Sequence, residues 1–219
     1  MQKIRIVTFN IRHGQGIDNK VDIKRTAQAL SLAKGDLMGL QEVDKYTSRS
    51  GFCHQPRFLG HMLLKHWVFG ANIEWLPGIE YGNTILSQWP LIYYRNHLLP
   101  GSGEQRGLLE AGITIGLHKV HFFCTHLGLK YEDRVQQVDR IMEIVTKVKK
   151  PLIIVGDFNF KRGSREFNTL SESFHEVTGN TPEQPDFIFL SRHWITISSQ
   201  PVYSGASDHL AVVAEIRLA

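Results

Sequence analysis

Polar and apolar residues alternate through Lys3-Ile4-Arg5-Ile6-Val7-Thr8-Phe9, with β-branched side chains among them, which predicts a strand with one buried face and Asn10 at its exit. The period lengthens from Asp22: Ile23, Ala27 and Leu30 share one stripe of a helix that Asp22 would cap and Gly35 would stop. Residues 36–40 then read as a short buried strand ending at Gln41-Glu42. From 43 to 80 the period is lost among Phe52, Phe58, Trp67, Phe69 and Trp75, so loops with a short helix near 55–65 are expected. Strands are predicted at 83–87, 91–97, 111–117 and 119–125, the last two as a hairpin across Gly116-Leu117-His118. Val135, Val138, Ile141, Met142, Val145 and Val148 recur at helical spacing over 131–148, and Pro151 ends that segment. Further strands are expected at 152–156, 186–190, about 195–199, and 211–217. Strands outnumber the two or three helices between them, which favours a two-layered sheet core flanked by helices over regular βαβ alternation. With no repeat, linker or low-complexity stretch, residues 1–219 read as one domain.

Composition changes this picture little. The hydrophobic share of 42% suits a globular core, and no apolar run approaches the roughly 18 residues of a membrane span. The strand pattern begins at once after Met1-Gln2, with no secretory-type apolar segment, so a soluble, cytoplasmic, monomeric protein is the expectation. Cys53 and Cys124 lack CxxC spacing and indicate neither a disulfide framework nor a zinc site. A net charge of +4 leans mildly towards anionic partners, nucleic acid among them, without any dense basic run.

The informative residues stand where apolar runs stop: Asn10, Glu42, Asn83, His126, Asp157 with Asn159, and Asp208 with His209. A single Asn or Asp at a strand end is more often a turn former than a catalyst. Several together suit a site assembled from strand-end loops. Carboxylates and carboxamides without thiolate are hard oxygen ligands, of the kind that hold Mg²⁺ or Mn²⁺ and leave positions for water and phosphate. Two histidines would then move protons or donate to a phosphoryl oxygen. Walker-type loops, GxSxG and HExxH are absent, so the residue types point to metal-assisted hydrolysis.

TFNIRHG (8–14), GLQEVD (39–44), YGNTILSQWPL (81–91), QRGLLEA (105–111), CTHLG (124–128), VGDFN (155–159), PDFIFLS (185–191) and SDHLAVV (207–213) resemble, in order, the motifs of the endonuclease/exonuclease/phosphatase superfamily, the DNase I-like Mg²⁺-dependent phosphoesterases. The resemblance spans nearly the whole chain and implies an α/β fold, a four-layered sandwich of two mainly antiparallel sheets between helices. It also implies roles. Glu42 would be the principal metal ligand, supported by Asn10 and Asp208. His209 would be the general base, oriented by Asp186. Asp157 and Asn159 would position the nucleophile and the scissile phosphate, His126 would donate to a phosphoryl oxygen, and Asn83 would help hold the phosphate. Glu80 is a candidate to pair with His126, and Arg106 to meet substrate phosphate through its planar fork.

One position departs from the pattern. Some nucleases of the family carry an acidic ligand two residues after the first Asn, where this chain has Arg12, and a cation cannot ligate a metal. The expected function is a divalent-metal-dependent phosphodiesterase or endonuclease on nucleic acid. A phosphatase or phosphodiesterase for a small phosphorylated metabolite or lipid head group is the alternative, and a catalytically silent binding module the remote one. The remaining histidines read as surface or packing residues, and Phe52, Trp67, Trp75 and Trp89 as either base platforms or core or rim packing.

Overall fold

A computed structural model describes residues 3–179 and 184–219. The elements run β1 (Lys3–Asn10), α1 (Ile23–Ala33), β2 (Leu37–Lys45), α2 (Gln55–Met62), β3 (His66–Leu76), β4 (Ile79–Ser87), β5 (Leu91–Leu99), β6 (Arg106–Ile115), β7 (His118–His126), α3 (Tyr131–Val145), β8 (Leu152–Asp157), α4 (Arg165–Ser171), β9 (His175–Glu176), β10 (Asp186–Leu190), β11 (Trp194–Val202) and β12 (Ala211–Leu218). They form two six-stranded sheets, ordered β11-β12-β1-β2-β4-β3 and β5-β6-β7-β8-β10-β9. Each sheet has one parallel pair near its centre, β1 with β2 and β7 with β8, flanked by antiparallel neighbours.

Period-two alternation decides what each strand offers to each layer. Ile4 and Ile6, Phe122 and Cys124, Ile153 and Val155, and Ile188 and Leu190 meet in the core between the sheets. The intervening Val7 and Phe9 face α1 and α2, whose Ala27, Leu30 and Leu59 close that side. Phe123, Ile154, Phe187 and Phe189 face α3 and α4 through Val138, Ile141 and Leu170. Four layers result, as the family resemblance implied. Burying each such side chain contributes about 1.5–3 kcal/mol, so both faces of the central strands resist exposure.

Three sequence expectations need correction. The stretch 66–87, read mostly as irregular, is the long β3–β4 hairpin; bulges between Ala71 and Ile73 and between Glu74 and Leu76 break the alternation that would have revealed it. The first helix is stopped by Lys34 in the left-handed region (φ 52°), while Gly35 lets the chain pass Val7 and Met38, which an added Cβ would meet at 2.5 and 2.9 Å. The short helix α4 was missed because seven residues offer too little periodicity to read. Asp22 does cap α1 as expected, accepting from the amides of Lys24 and Arg25.

The sheets approach closely below the ends of the parallel pairs. A Cβ on Gly39 would lie 2.3 Å from Val155 Cγ2 and 3.0 Å from Cys124 Sγ. Gly39→Ala is therefore expected to cost about 1–3 kcal/mol by overpacking, a fall in Tm of roughly 2–12 °C. A calorimetric scan checks this, and an unchanged Tm would mean that the sheets can part without cost.

Candidate active site

Because both central pairs are parallel, β1, β2, β7 and β8 deliver their C-terminal ends to one rim of the sandwich. Parity then selects the side chains. Asn10 continues the face of Ile4 and Ile6, His126 that of Phe122 and Cys124, and Asp157 that of Ile153 and Val155, so all three emerge between the sheets. Asp186 begins antiparallel β10 opposite Asp157 and shares that face with Ile188.

Asp157 is the centre of the arrangement. Its Oδ2 accepts from Asn10 Nδ2 at 2.9 Å and lies 3.4 Å from His126 Nε2 and 3.7 Å from His209 Nε2. Its Oδ1 accepts from the amide of Asn159 at 3.1 Å. The same Asn10 amide group donates to Glu42 Oε1 at 2.9 Å, while Asn10 Oδ1 accepts from the amide of Arg12. Leu40 and Val43, three residues apart, both face the helices, so β2 must take an irregularity between them, and Glu42 absorbs it at φ 56°. Asn159 (φ 52°), Arg12 and His13 (both φ 45°) are also left-handed, which gathers backbone strain around this rim.

The two histidines are held in opposite electrostatic states. Arg106 Nη1 donates to His126 Nδ1 at 3.0 Å, and a guanidinium has no lone pair to offer, so Nδ1 is the acceptor and the ring proton sits on Nε2. Burial lowers the His126 pKa to about 4; Asp157 opposes and Arg106 adds to the shift, so the ring is a neutral donor at pH 7. His209 Nδ1 donates to Asp186 Oδ2 at 2.7 Å. Burial would lower His209, but the Asp186 hydrogen bond and charge, then Asp157 and Asp208, outweigh it and raise it to about 9. Burial also lifts Asp186 to about 7 against the pull of His209. The pair is best described as a carboxylate holding an imidazolium, with the proton on Nε2 the one that titrates.

Other expected residues lie close by with different partners. The Glu80 pairing with His126 does not form: Glu80 is bridged by Lys45, its cross-strand neighbour, and Arg106 occupies the nitrogen it would have used. Asp208 is exposed, with its Oδ2 3.3 Å from Arg12 Nη1 and its Oδ1 accepting from Ser207. Asn83 is buried, gives Nδ2 to the Gly107 carbonyl, and keeps Oδ1 without a partner among the described residues. Asn159 Nδ2 donates to the Leu127 carbonyl. Arg106 is 7% exposed, shares Nη1 with Glu104 at 2.9 Å, and leaves Nε unpartnered among the described residues. Sequence reasoning missed Tyr81, whose buried phenol lies within electrostatic reach of Glu42, Glu104 and Arg106; burial, first of all, raises its pKa far above the usual range.

The donor set suits a hard cation. Glu42, Asp157 and Asp208 offer carboxylate oxygens at one rim with the Asn10 and Asn159 amides beside them, and Cys124, deep between the sheets, spends its sulfur on Gln41 and the Leu40 carbonyl. Among the described residues no three His, Cys, Asp or Glu side chains gather as a metal cage. Carboxylates at this rim fit an ion that binds through one or two of them with water and substrate oxygens.

The profile of the Endonuclease/Exonuclease/phosphatase family matches residues 7–209, and the chain belongs to that family of phosphoesterases. Among its relatives is the uncharacterized protein YbhP of Escherichia coli K12, 27% identical over 248 residues, covering 98% of this chain and 96% of that protein. An endonuclease/exonuclease/phosphatase from Beutenbergia cavernae superposes with a TM-score of 0.83 at 21% identity, over 100% of this chain and 72% of that one. The mannosyl-6-phosphatase Bt3783 of Bacteroides thetaiotaomicron superposes at 0.77 with 16% identity, over 98% of this chain and 100% of that one. At these identities the structural likeness is one of fold.

Asp186 raises the His209 pKa, so its removal lowers it. Asp186→Asn is expected to move the acid limb of the kcat/KM profile to lower pH while reducing kcat by ~10²–10⁴, because the ring loses its fixed tautomer. Activity in the parent should rise with pH as His209 loses its Nε2 proton. A pH–rate series on both proteins checks the direction, and a limb that moves alkaline would contradict the assignment.

Proposed function

We propose that the chain is a Mg²⁺-dependent phosphodiesterase, with Mn²⁺ as a substitute ion and nucleic acid as its substrate class. The observation that carries this reading is the convergence of the Asp186–His209 pair, neutral His126 and the Asn10–Glu42 contact on one carboxylate, Asp157. A base, a donor and a hard-oxygen cation site are what water attack on a phosphoester requires.

In this reading His209 Nε2 removes a proton from water. The oxygen attacks phosphorus while the bond to the leaving oxygen breaks; that oxygen departs with the electron pair and becomes an alcohol by taking a proton from solvent water. Asp186 holds the ring so that Nε2 faces the reaction and stabilises the imidazolium that forms. His126 donates Nε2–H to a non-bridging oxygen as charge grows there, a neutral donor whose hydrogen bond strengthens in the transition state. Arg106 fixes that tautomer and offers its unpartnered Nε to the same phosphate. Asn159 and Asn83 line the phosphate side. A divalent cation on Glu42, with Asn10 and Asp208 beside it, would supply Lewis-acid charge at the phosphoryl and leaving oxygens. Asp208 would first leave Arg12, an exposed contact of the kind that contributes about 0–1 kcal/mol. The net charge of +4 supports a polyanion over a neutral partner.

Purified protein with supercoiled plasmid and Mg²⁺ is expected to produce nicked circles, and EDTA to stop it. His209→Ala should slow nicking by ~10²–10⁴. Glu42→Gln should raise the Mg²⁺ concentration needed for half activity. Cleavage of an aryl phosphodiester without nicking would move the substrate to a small phosphoester. Hydrolysis of neither would leave a phosphate-binding module.

A further inference from the structure

Beside the phosphate site, on the β3–β4 hairpin, lies a group of residues that this chemistry does not use. Trp75 and Tyr81 face one another there, ring centroids 6.2 Å apart and tilted by 37°. The Arg49 guanidinium lies 5.8 Å from the Trp75 centroid and 5.2 Å from that of Tyr81. We propose that Trp75 and Arg49, backed by the buried Tyr81 ring, form a shelf that receives a planar ring of the substrate, a nucleobase, next to the phosphate held by Arg106. This rests on the phosphodiesterase reading and adds where the nucleoside would lie.

The shelf is rigid. Arg49 grips Asp44 through both edges of its fork, Nε to Oδ2 at 2.8 Å and Nη2 to Oδ1 at 2.7 Å, and Thr47 also donates to that fully buried carboxylate. It is also continuous with the site. Asp44 stands two residues beyond Glu42 on β2 and pairs in register with Tyr81, whose phenol lies within electrostatic reach of Glu42 and Arg106. A tryptophan kept for packing gains by burial, yet this one is 51% exposed. With Arg49 neutralised by Asp44, the surface on offer is aromatic and polarisable, not a concentrated charge. Such a surface favours a base, which stacks on aromatic and guanidinium planes, over a flexible acyl chain.

Titration calorimetry in Mg²⁺ buffer with adenosine 5′-monophosphate and ribose 5-phosphate reads the shelf independently of turnover. The parent protein is expected to bind the nucleotide roughly 5- to 150-fold more tightly than the sugar phosphate, the range that stacking one base commands. Trp75→Ala should remove most of that ratio, Trp75→Phe should keep much of it, and affinity for ribose 5-phosphate should stay within about twofold in both. Equal affinity for the two ligands in the parent, no detectable nucleotide binding, or a parallel loss of both in Trp75→Phe would overturn the proposal. A base preference in a protein that hydrolyses no phosphodiester would overturn the reaction and leave the shelf standing. Hydrolysis without base preference would do the reverse.

Discussion

The arrangement depends on one hydrogen bond between sheets. Asn10 ends β1 in the first sheet, Asp157 ends β8 in the second, and the 2.9 Å contact between them joins residues 147 apart in sequence. The carboxylate is 2% exposed, so it cannot be left to water, and a buried acceptor without donors would cost about 1–3 kcal/mol or more for a charge. Asn10, the Asn159 amide and two histidines supply its surroundings. Meeting that requirement brings the polar ends of both sheets to one point. Below it, Gln41 spans the same gap, donating to Thr8 in its own sheet and to Cys124 in the other.

Strain and electrostatics at this rim are two consequences of the same burial. The ends of the strands are too constrained by Leu40, Val43 and Phe158 in the helix-facing cores to follow ordinary backbone geometry, so Glu42 and Asn159 take left-handed conformations. Dehydration sets the histidines apart. His126 has a cation at Nδ1 and is held neutral, whereas His209 has a carboxylate at Nδ1 and holds its proton. Two rings near one carboxylate thereby acquire a donor's and a base's character, a division produced by environment alone.

Much of this was legible in the chain. Alternation located most strands, and the same alternation, extended by one or two residues, placed Asn10, His126 and Asp157 on the face between the sheets. The Asp186 and His209 positions followed from motifs whose spacing is ordered along the sequence. Where bulges interrupt the period, as in β3, the reading failed, because a single inserted residue exchanges the two faces of a strand.

Local periodicity and residue type were enough to show which faces of the regular strands are apolar, which strand ends are polar, and which family's chemistry those ends resemble. Only the tertiary structure decided partners. Arg106 rather than Glu80 meets His126, Arg12 meets Asp208, and Arg49 lies over Trp75 and Tyr81, because each contact joins strands or loops whose relative register is set by packing. A side chain's identity travels with its codon, but its protonation state and its neighbour exist only after the two sheets have closed on one another and excluded water.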